Sequence, residues 1–573
     1  MYLAALNVKG FRRVEELNLR FRPGLNVLVG PNNVGKTAVV DGLRALLTTA
    51  EEGALRVDAY DLHASSGHAA TEITFHYVFR DLTLDEEADF LPALKPMSTA
   101  TGAPDKYEAH LWVRYSPNGT TGRIRPKRWC GDHEENSITT EMLEDLRAIY
   151  LPPLRDPASG LKPSRSSQLA RLIDRLASDS EKKELVKLLK EFEEKLEVEK
   201  PVAKTQSAIE TRHVAMLGST LKQVLKIGLT PPEFQRLAAR LALAVEGLDI
   251  EQNGLGYNNL IYMAVVLSEL ALNPDAAYKA LIVEEPEAHL HPQLQVVLLD
   301  HLQAIEAPVQ GQKPVQIFVT SHSPHFASAA KLDSLTCLYQ GEGKTGAFFP
   351  REATFLPKKK EKLQRYLDVT RADLFFARRL ILVEGAAERF LVDAMAAKMG
   401  IRLREHSVTI LSTEGLNFDC FAPLFGSSAI PIRVAILTDA DVPGYPAPGA
   451  TPAMSAAAKA IAKLANTHIK AYFAARTLEY DLALLPTNQA QMLIALADIH
   501  PGIAADLKVK VDAATATDKP RELFRGMFDR GPTVGNVKKG EFAQALAAVI
   551  ADPAVSFTTP TYIAEALAYV TAP

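Results

Sequence analysis

Short apolar runs of strand length alternate with helix-period stretches along most of the chain, the pattern of α/β domains built on buried parallel strands. Residues 1–8 and 17–21 read as two strands, and 25–29 as a third that runs straight into Gly30-Pro-Asn-Asn-Val-Gly-Lys-Thr37. Residues 71–79 and 110–115 read as further strands of the same unit, and 280–283 and 317–320 as later ones with polar ends. In the last third, 381–383, 407–411, 434–438 and 469–473 repeat the theme, and a long helical stretch opens at Lys538. Between the two groups, Leu185, Leu188, Leu189, Phe192 and Leu196 recur at helical spacing with Lys and Glu on the other face. Such a stripe packs inside its own domain or meets a partner. Residues 150–156, Tyr-Leu-Pro-Pro-Leu-Arg-Asp, form a rigid connector, and 443–452 a Pro/Gly/Ala loop. There are no internal repeats or low-complexity segments.

A chain of 573 residues has room for several domains, and 47% hydrophobic with 23% charged residues suits large buried cores. No run approaches the ~18 apolar residues of a membrane span. The N-terminus lacks the basic-then-apolar order of a signal peptide, so a cytoplasmic location and no membrane partner are expected. Cys130, Cys337 and Cys420 are widely spaced, and Cys130 alone has a histidine nearby, His133. They read as reduced thiols rather than a disulfide framework or zinc site. A net charge of −4 neither advertises nor excludes nucleic-acid binding.

The segment 30–37 satisfies the phosphate-loop pattern between a strand and a helix. Its candidate nucleotide contacts are Asn32, Gly35, Lys36 and Thr37: glycine lets the backbone fold around phosphate oxygens, Lys36 reaches the β- and γ-phosphates, and the Thr37 hydroxyl can ligate Mg²⁺. The helix that follows presents its positive end to the nucleotide. Far downstream, Glu284-Glu285-Pro-Glu-Ala-His-Leu-His291 ends an apolar strand as a Walker B segment does, and His322 ends the next. In this class the first acid, Glu284, helps hold the Mg²⁺ shell and the second, Glu285, orients or deprotonates the attacking water; His322 is placed to sense the γ-phosphate. Glu284 stands where the broader pattern prefers Asp. Gly254 and Gly256, in Gln-Asn-Gly-Leu-Gly-Tyr-Asn-Asn259, occupy the signature position, with Asn253 where the usual serine is absent. Their amides would approach a nucleotide held by a second subunit, so ATP sandwiched between two chains implies a homodimer. His289 and His291 read as packing or interface residues.

The last third carries acids at strand ends. Glu384 should project from the carboxyl edge of the 381–383 strand, where open α/β sheets bind ligands, with Glu388 one helical turn on. Asp439 and Asp441 end a second strand, their carboxylates on one side while the chain remains extended. Four acids at two strand ends make a cage for hard cations. The basic run at 357–362 with Arg365, Arg371, Arg378 and Arg379 is either a solvated face or a phosphate-backbone contact.

Glu-Gly after one strand and Asp-x-Asp after another resemble the Toprim domain of topoisomerases, primases and certain nucleases. With Glu388, the pattern is similar to the OLD (overcoming lysogenization defect) family, which joins an ABC-type ATPase to a Toprim domain and includes the nuclease of the Gabija anti-phage system. The phosphate-loop wording resembles the SMC/RecF-like branch of ABC ATPases. This resemblance implies a dimerisation role for the helical insert. It also implies a further metal-binding acid at Glu479, with Asp481 the alternative, and an active-site lysine at Lys539. Expected boundaries are 1–155 and 236–350 for the two ATPase halves, 156–235 for the insert, 351–378 for a basic linker and 379–573 for the Toprim domain.

The function expected is an ATP-regulated DNA endonuclease using Mg²⁺ or Mn²⁺, dimeric or a dimer of dimers, in anti-phage defence, with a helicase or retron partner encoded nearby as an open alternative. Two rivals remain. A non-catalytic SMC-like clamp predicts DNA-stimulated ATP hydrolysis without strand breaks. A topoisomerase-like strand passer predicts relaxed circles and a phosphotyrosyl adduct.

Overall fold

The protein is described by a computed structural model covering residues 1–48, 55–65, 68–97, 106–117, 123–153, 157–164, 167–218, 221, 223–227, 233–271, 276–305, 313–341, 343–447, 454–531 and 535–572. The ends of the connector (154–156) and of the 443–452 loop lie outside these residues.

Three sheets organise the chain. The first is antiparallel: β1 (Tyr2–Phe11), β2 (Val14–Arg20), β4 (Ile73–Arg80), β5 (Leu94–Pro96), β6 (Tyr107–Pro117) and β7 (Ile124–Cys130) lie in the order β2-β1-β4-β6-β5, with β7 also on β6. Leu3, Leu6 and Val8 alternate inward with partly exposed neighbours, as a sheet with one wet face requires. The second sheet holds β3 (Leu25–Val29), β8 (Leu146–Leu151), β9 (Tyr278–Glu284), β10 (Gln316–Thr320), β11 (Leu335–Gly341) and β12 (Lys344–Phe348), in the order β8-β9-β10-β3-β11-β12. All its pairings are parallel except the β11–β12 hairpin. Strands β3, β9 and β10 are buried at every position, which explains their mainly apolar sequences, with Asn26, Lys279 and Gln316 the buried polar exceptions before the strand ends.

The third sheet is wholly parallel: β13 (Arg379–Val383), β14 (Val408–Ser412), β15 (Arg433–Asp439) and β16 (Ile469–Ala474), in the order β14-β13-β15-β16. The two acid-bearing strands β13 and β15 are therefore direct neighbours. β14, between them in sequence, is displaced to the edge.

One hydrophobic core runs without a break from the second sheet (Val27, Leu281, Val319) to one face of the third (Leu382, Leu411, Ile436). Leu363 and Phe375, from the segment between those sheets, are part of it. Helix α1 (Lys36–Leu47) follows β3, and α2 (Gln168–Leu176) packs near α5 (Leu255–Ala271). By contrast, α3 (Asp179–Glu197) and α4 (Lys200–Leu217) contain no buried residue. The apolar stripe divides: Leu185 packs against a small core of Ala170, Phe234 and Ala238, whereas Leu188 and Phe192 are 54% and 56% exposed.

The basic linker divides: Lys358, Arg365 and Arg378 are exposed, whereas its other lysines and Arg371 are engaged within the chain. In α6 (Lys359–Tyr366), Lys359 pairs with Asp419 at 2.5 Å, Lys360 with Asp333, and Lys362 donates to Asn417 at 2.6 Å. Arg371 is held by Asp368 and Glu414. These charges are consumed in fastening the third sheet to the second. The cysteines are buried and free. No helix among the described residues is long and apolar enough to cross a membrane.

Candidate functional site

The phosphate loop leaves β3 with Gly30 and Gly35 in left-handed backbone, and a Cβ on Gly30 would meet the Leu338 carbonyl oxygen at 2.3 Å. Lys36 folds back on the loop and donates to the carbonyls of Gly30 (2.5 Å) and Pro31 (3.0 Å). Burial lowers its pKa to about 8, against the pull of Glu285 and Glu287. Around it, Arg12, Arg13, Asn33, Gly35, Thr37 and His322 line a cleft of about 240 Å³. Asn32 is not among them. It lines a separate cleft between the tip of the loop and the third sheet, together with Arg378 and His406. Asn33 takes its expected place because the loop turns over at this position, φ 67°.

Strand pairing assembles the rest. Glu284 at the end of β9 is beside Thr320 of β10, and Glu285 follows in left-handed backbone, φ 45°. Its carboxylate is 3.4 Å from Nε2 of His322. Glu284 accepts a hydrogen bond from the Tyr150 hydroxyl at 2.7 Å; burial raises its pKa, while the hydroxyls of Tyr150 and Thr37 pull it down. Sequence reasoning passed over Glu287, whose Oε1 accepts from the Ser321 hydroxyl and the His322 amide, both at 2.8 Å. It holds the backbone of His322 at the end of β10. Its signal was the second acid of Glu285-Pro-Glu287.

Gly254 and Gly256 stand apart from this cleft. A Cβ on Gly256 would meet the His289 carbonyl oxygen at 2.6 Å, so that glycine lets α5 sit against the turn after β9. Gly254 is exposed. His291 caps the helix that follows it, accepting from the Gln293 amide.

The second cluster lies at the carboxyl edge of the third sheet. The register sets Leu382 beside Ile436, which brings Glu384 to the end of β15. There Glu384 Oε1 accepts from the Thr438 hydroxyl and from the Asp439 amide (3.1 Å). Glu388, in the first turn of α7 (Ala386–Lys398), accepts from the Gly385 amide at 3.0 Å. Asp439 accepts from the Leu478 amide at 2.9 Å, which ties β15 to α8 (Leu478–Leu484). In that helix Glu479 is 2% exposed, and neither of its oxygens accepts a hydrogen bond of good geometry among the described residues. Its compensation is an ion pair with Lys539, 2.9 Å away at the start of α9 (Lys539–Ala551).

These groups feel one another. Burial pushes Asp439 well above the carboxylate range, with further upward pressure from Glu479 and Glu384, and raises Glu388 with help from Glu479 and Glu384. Burial opposes the Lys539 charge, but Glu479 and Asp439 outweigh it and raise its pKa. Tyr562, in α10 (Thr561–Thr571), is raised by burial and by the same acids; no sequence motif marked it.

Two expectations need correction. Asp441 does not join the cluster: β15 ends at Asp439, and Asp441 is exposed in left-handed backbone, φ 48°, its amide donating to the Arg476 carbonyl. The alternation argument fails because the chain is no longer extended there. Asp481, the alternative to Glu479, spends its oxygens on the amides of Ala475 (2.8 Å) and Arg476 (3.3 Å); burial raises its pKa to about 6. The acids brought together are Glu384, Glu388, Asp439 and Glu479.

Among the described residues no three potential ligands stand as a ready chelate, and Lys539 supplies the positive charge amid the acids. An all-carboxylate donor set with one buried member, Glu479, keeping an unpartnered oxygen nevertheless suits a hard divalent ion.

Comparison with known proteins places these sites in context. Residues 1–109 and 114–327 match the AAA ATPase domain family, and 375–441 match the overcoming lysogenization defect protein-like TOPRIM domain. The chain is similar to the OLD nuclease of Thermus scotoductus, 25% identical over 68% of this chain and 72% of that protein. It is also similar to endonuclease GajA of Bacillus cereus, 20% identical over 41% of this chain and 39% of that protein. Among solved structures, the C-terminal region of the Burkholderia pseudomallei OLD protein is 26% identical, covering 34% of this chain and 97% of that one with a TM-score of 0.25.

Proposed function

The chain belongs to the AAA ATPase domain family and joins that domain to an OLD-like TOPRIM domain; on that premise we propose that it is an ATP-regulated, divalent-metal-dependent DNA endonuclease of OLD type, homodimeric and acting in anti-phage defence. One observation carries the reading. Glu479 is buried beside Glu384, Glu388 and Asp439, with Oε1 lacking a hydrogen bond among the described residues and Oε2 met at 2.9 Å by Lys539. A buried ionised carboxylate with one oxygen unpartnered is costly, and this chain sets against it one half-exposed lysine. The cluster is suited to cation binding rather than to stability.

Mg²⁺ or Mn²⁺ held by Glu384, Glu388, Asp439 and Glu479 would supply charge stabilisation to the attacking and leaving oxygens of an in-line displacement at phosphorus. The chain's own contribution is placement. The amide of Asp439 and the hydroxyl of Thr438 fix Glu384, the amide of Leu478 fixes Asp439, and the capping turn fixes Glu388. Lys539 is positioned to meet the negative charge of a scissile phosphate.

Control by ATP is supported by the core shared between the second and third sheets and by the paired lysines of α6, which couple the two sheets mechanically. A dimer is supported by exposed Leu188 and Phe192 on α3 and by the separation of Gly254 from the Lys36 cleft, which leaves the signature segment for a second copy.

The test is cleavage of a supercoiled plasmid with added Mg²⁺ or Mn²⁺. Glu384→Ala and Asp439→Ala lose nicking, whereas Lys36→Ala changes only its response to nucleotide. Nicking by the acid variants equal to that of the unmodified protein overturns the proposal.

A further inference from the structure

Glu284 occupies a position where the broader ATPase pattern carries the shorter Asp, and the structure shows what holds the longer side chain. β8 and β9 are parallel, with Tyr150 beside Ile282. Side chains two residues apart on a strand share a face, so Tyr150 and Glu284 project to the same side. The phenol reaches past the end of β9 and donates to Glu284 Oε1 at 2.7 Å. Glu284 also accepts from the hydroxyl of Thr37, the residue that follows the phosphate-loop lysine.

The ring of Tyr150 is itself held. The Arg44 guanidinium stacks on it at 4.0 Å, and Arg44 is fixed by Asp41 at 2.6 Å, both from α1. Asp41 also pairs at 2.7 Å with Arg12 of the nucleotide cleft. A bracket of Arg12, Asp41, Arg44 and Tyr150 thus runs from that cleft to the Walker B acid.

We propose that Tyr150 is a positioning residue for ATP hydrolysis: it anchors one oxygen of Glu284 so that the carboxylate is presented to Thr37 and the metal bound with the nucleotide. An Asp at position 284 is one methylene shorter and falls short of the phenol, so it has no need of this anchor. The proposal rests on the reading of the first two sheets as a metal-dependent ATPase.

The experiment measures, by electron paramagnetic resonance, the Mn²⁺ that the full chain binds only when adenylyl imidodiphosphate is present, in an Asp439→Asn background that weakens the second acidic cluster, which separates binding from turnover. Nucleotide affinity without metal is measured in parallel, and Tyr150→Phe leaves it unchanged. With Glu284 present, Tyr150→Phe weakens Mn²⁺ roughly tenfold, as expected for loss of a hydrogen bond to a charged group. In the Glu284→Asp background the same change has an effect under about twofold, so the two substitutions are non-additive. No loss with Glu284 present, or an equal loss in both backgrounds, overturns the proposal. Nucleotide-dependent Mn²⁺ binding with Tyr150 and Glu284 intact is the control: if it fails, the ATPase reading falls and this proposal with it.

Discussion

Lys539 Nζ lies 2.9 Å from Glu479 Oε2, joining the first turns of two helices far apart in sequence. The ammonium occupies the electrostatic position of a cation. Lys539→Met is expected to tighten Mn²⁺ binding at the acidic cluster, because the competing positive charge is gone. Cleavage falls at the same time by roughly 100-fold, the scale for losing a group that stabilises developing charge. Mn²⁺ titration and plasmid cleavage on one preparation check it; weaker metal binding would show that Lys539 supports the site rather than competes for it.

Glu479 and Asp481 are neighbours in α8 with opposite duties. Asp481 serves the backbone, so Asp481→Ala leaves the Ala475 and Arg476 amides unpaired. A stability loss of about 1–3 kcal/mol is expected, with cleavage per folded molecule little changed. Glu479→Gln abolishes metal-dependent cleavage and costs less stability, since relief of a buried negative charge beside three other acids offsets loss of the Lys539 ion pair. Denaturant melts beside cleavage assays separate the two.

The buried acids set the pH dependence. Asp481 titrates near 6 when folded, and Asp439 and Glu388 are also raised, against about 4 unfolded. Between those values the folded state binds more protons, so stability falls as pH rises through the window and returns as pH drops from about 6 towards 4. The Asp481 shift alone corresponds to roughly 2–3 kcal/mol. The metal-free protein is therefore expected to melt higher at pH 5 than its Asp439→Asn variant's own pH dependence accounts for, and Mg²⁺ raises the melting temperature more at pH 7.5 than at pH 5. Identical pH profiles for the two proteins would contradict the assignment.

The linker lysines give a contrasting expectation. Lys359 and Lys362 are engaged with Asp419 and Asn417, so Lys359→Ala with Lys362→Ala changes DNA affinity less than about twofold, where a phosphate contact would lower it and flatten its salt dependence. The same pair weakens the response of cleavage to ATP. Fluorescence anisotropy at two salt concentrations decides between these outcomes.

What the sequence by itself determined is the local chemistry of strand ends. The phosphate loop, Glu284 and Glu285 after one apolar run, His322 after the next, and Glu384 and Asp439 at two further edges were all readable, because a buried strand and the turn that ends it are encoded within a few residues. Tertiary structure decided which of these groups face one another. Strand order made β13 and β15 neighbours; a left-handed residue took Asp441 out of the cluster; and helix packing brought in Glu479 and Lys539 while assigning Asp481 to the backbone. The contacts of Asn32, Glu287, Tyr150 and the lysines of α6 were set in the same way. A side chain's partners are set by the elements packed against it, and neither periodicity nor motif spacing carries that information.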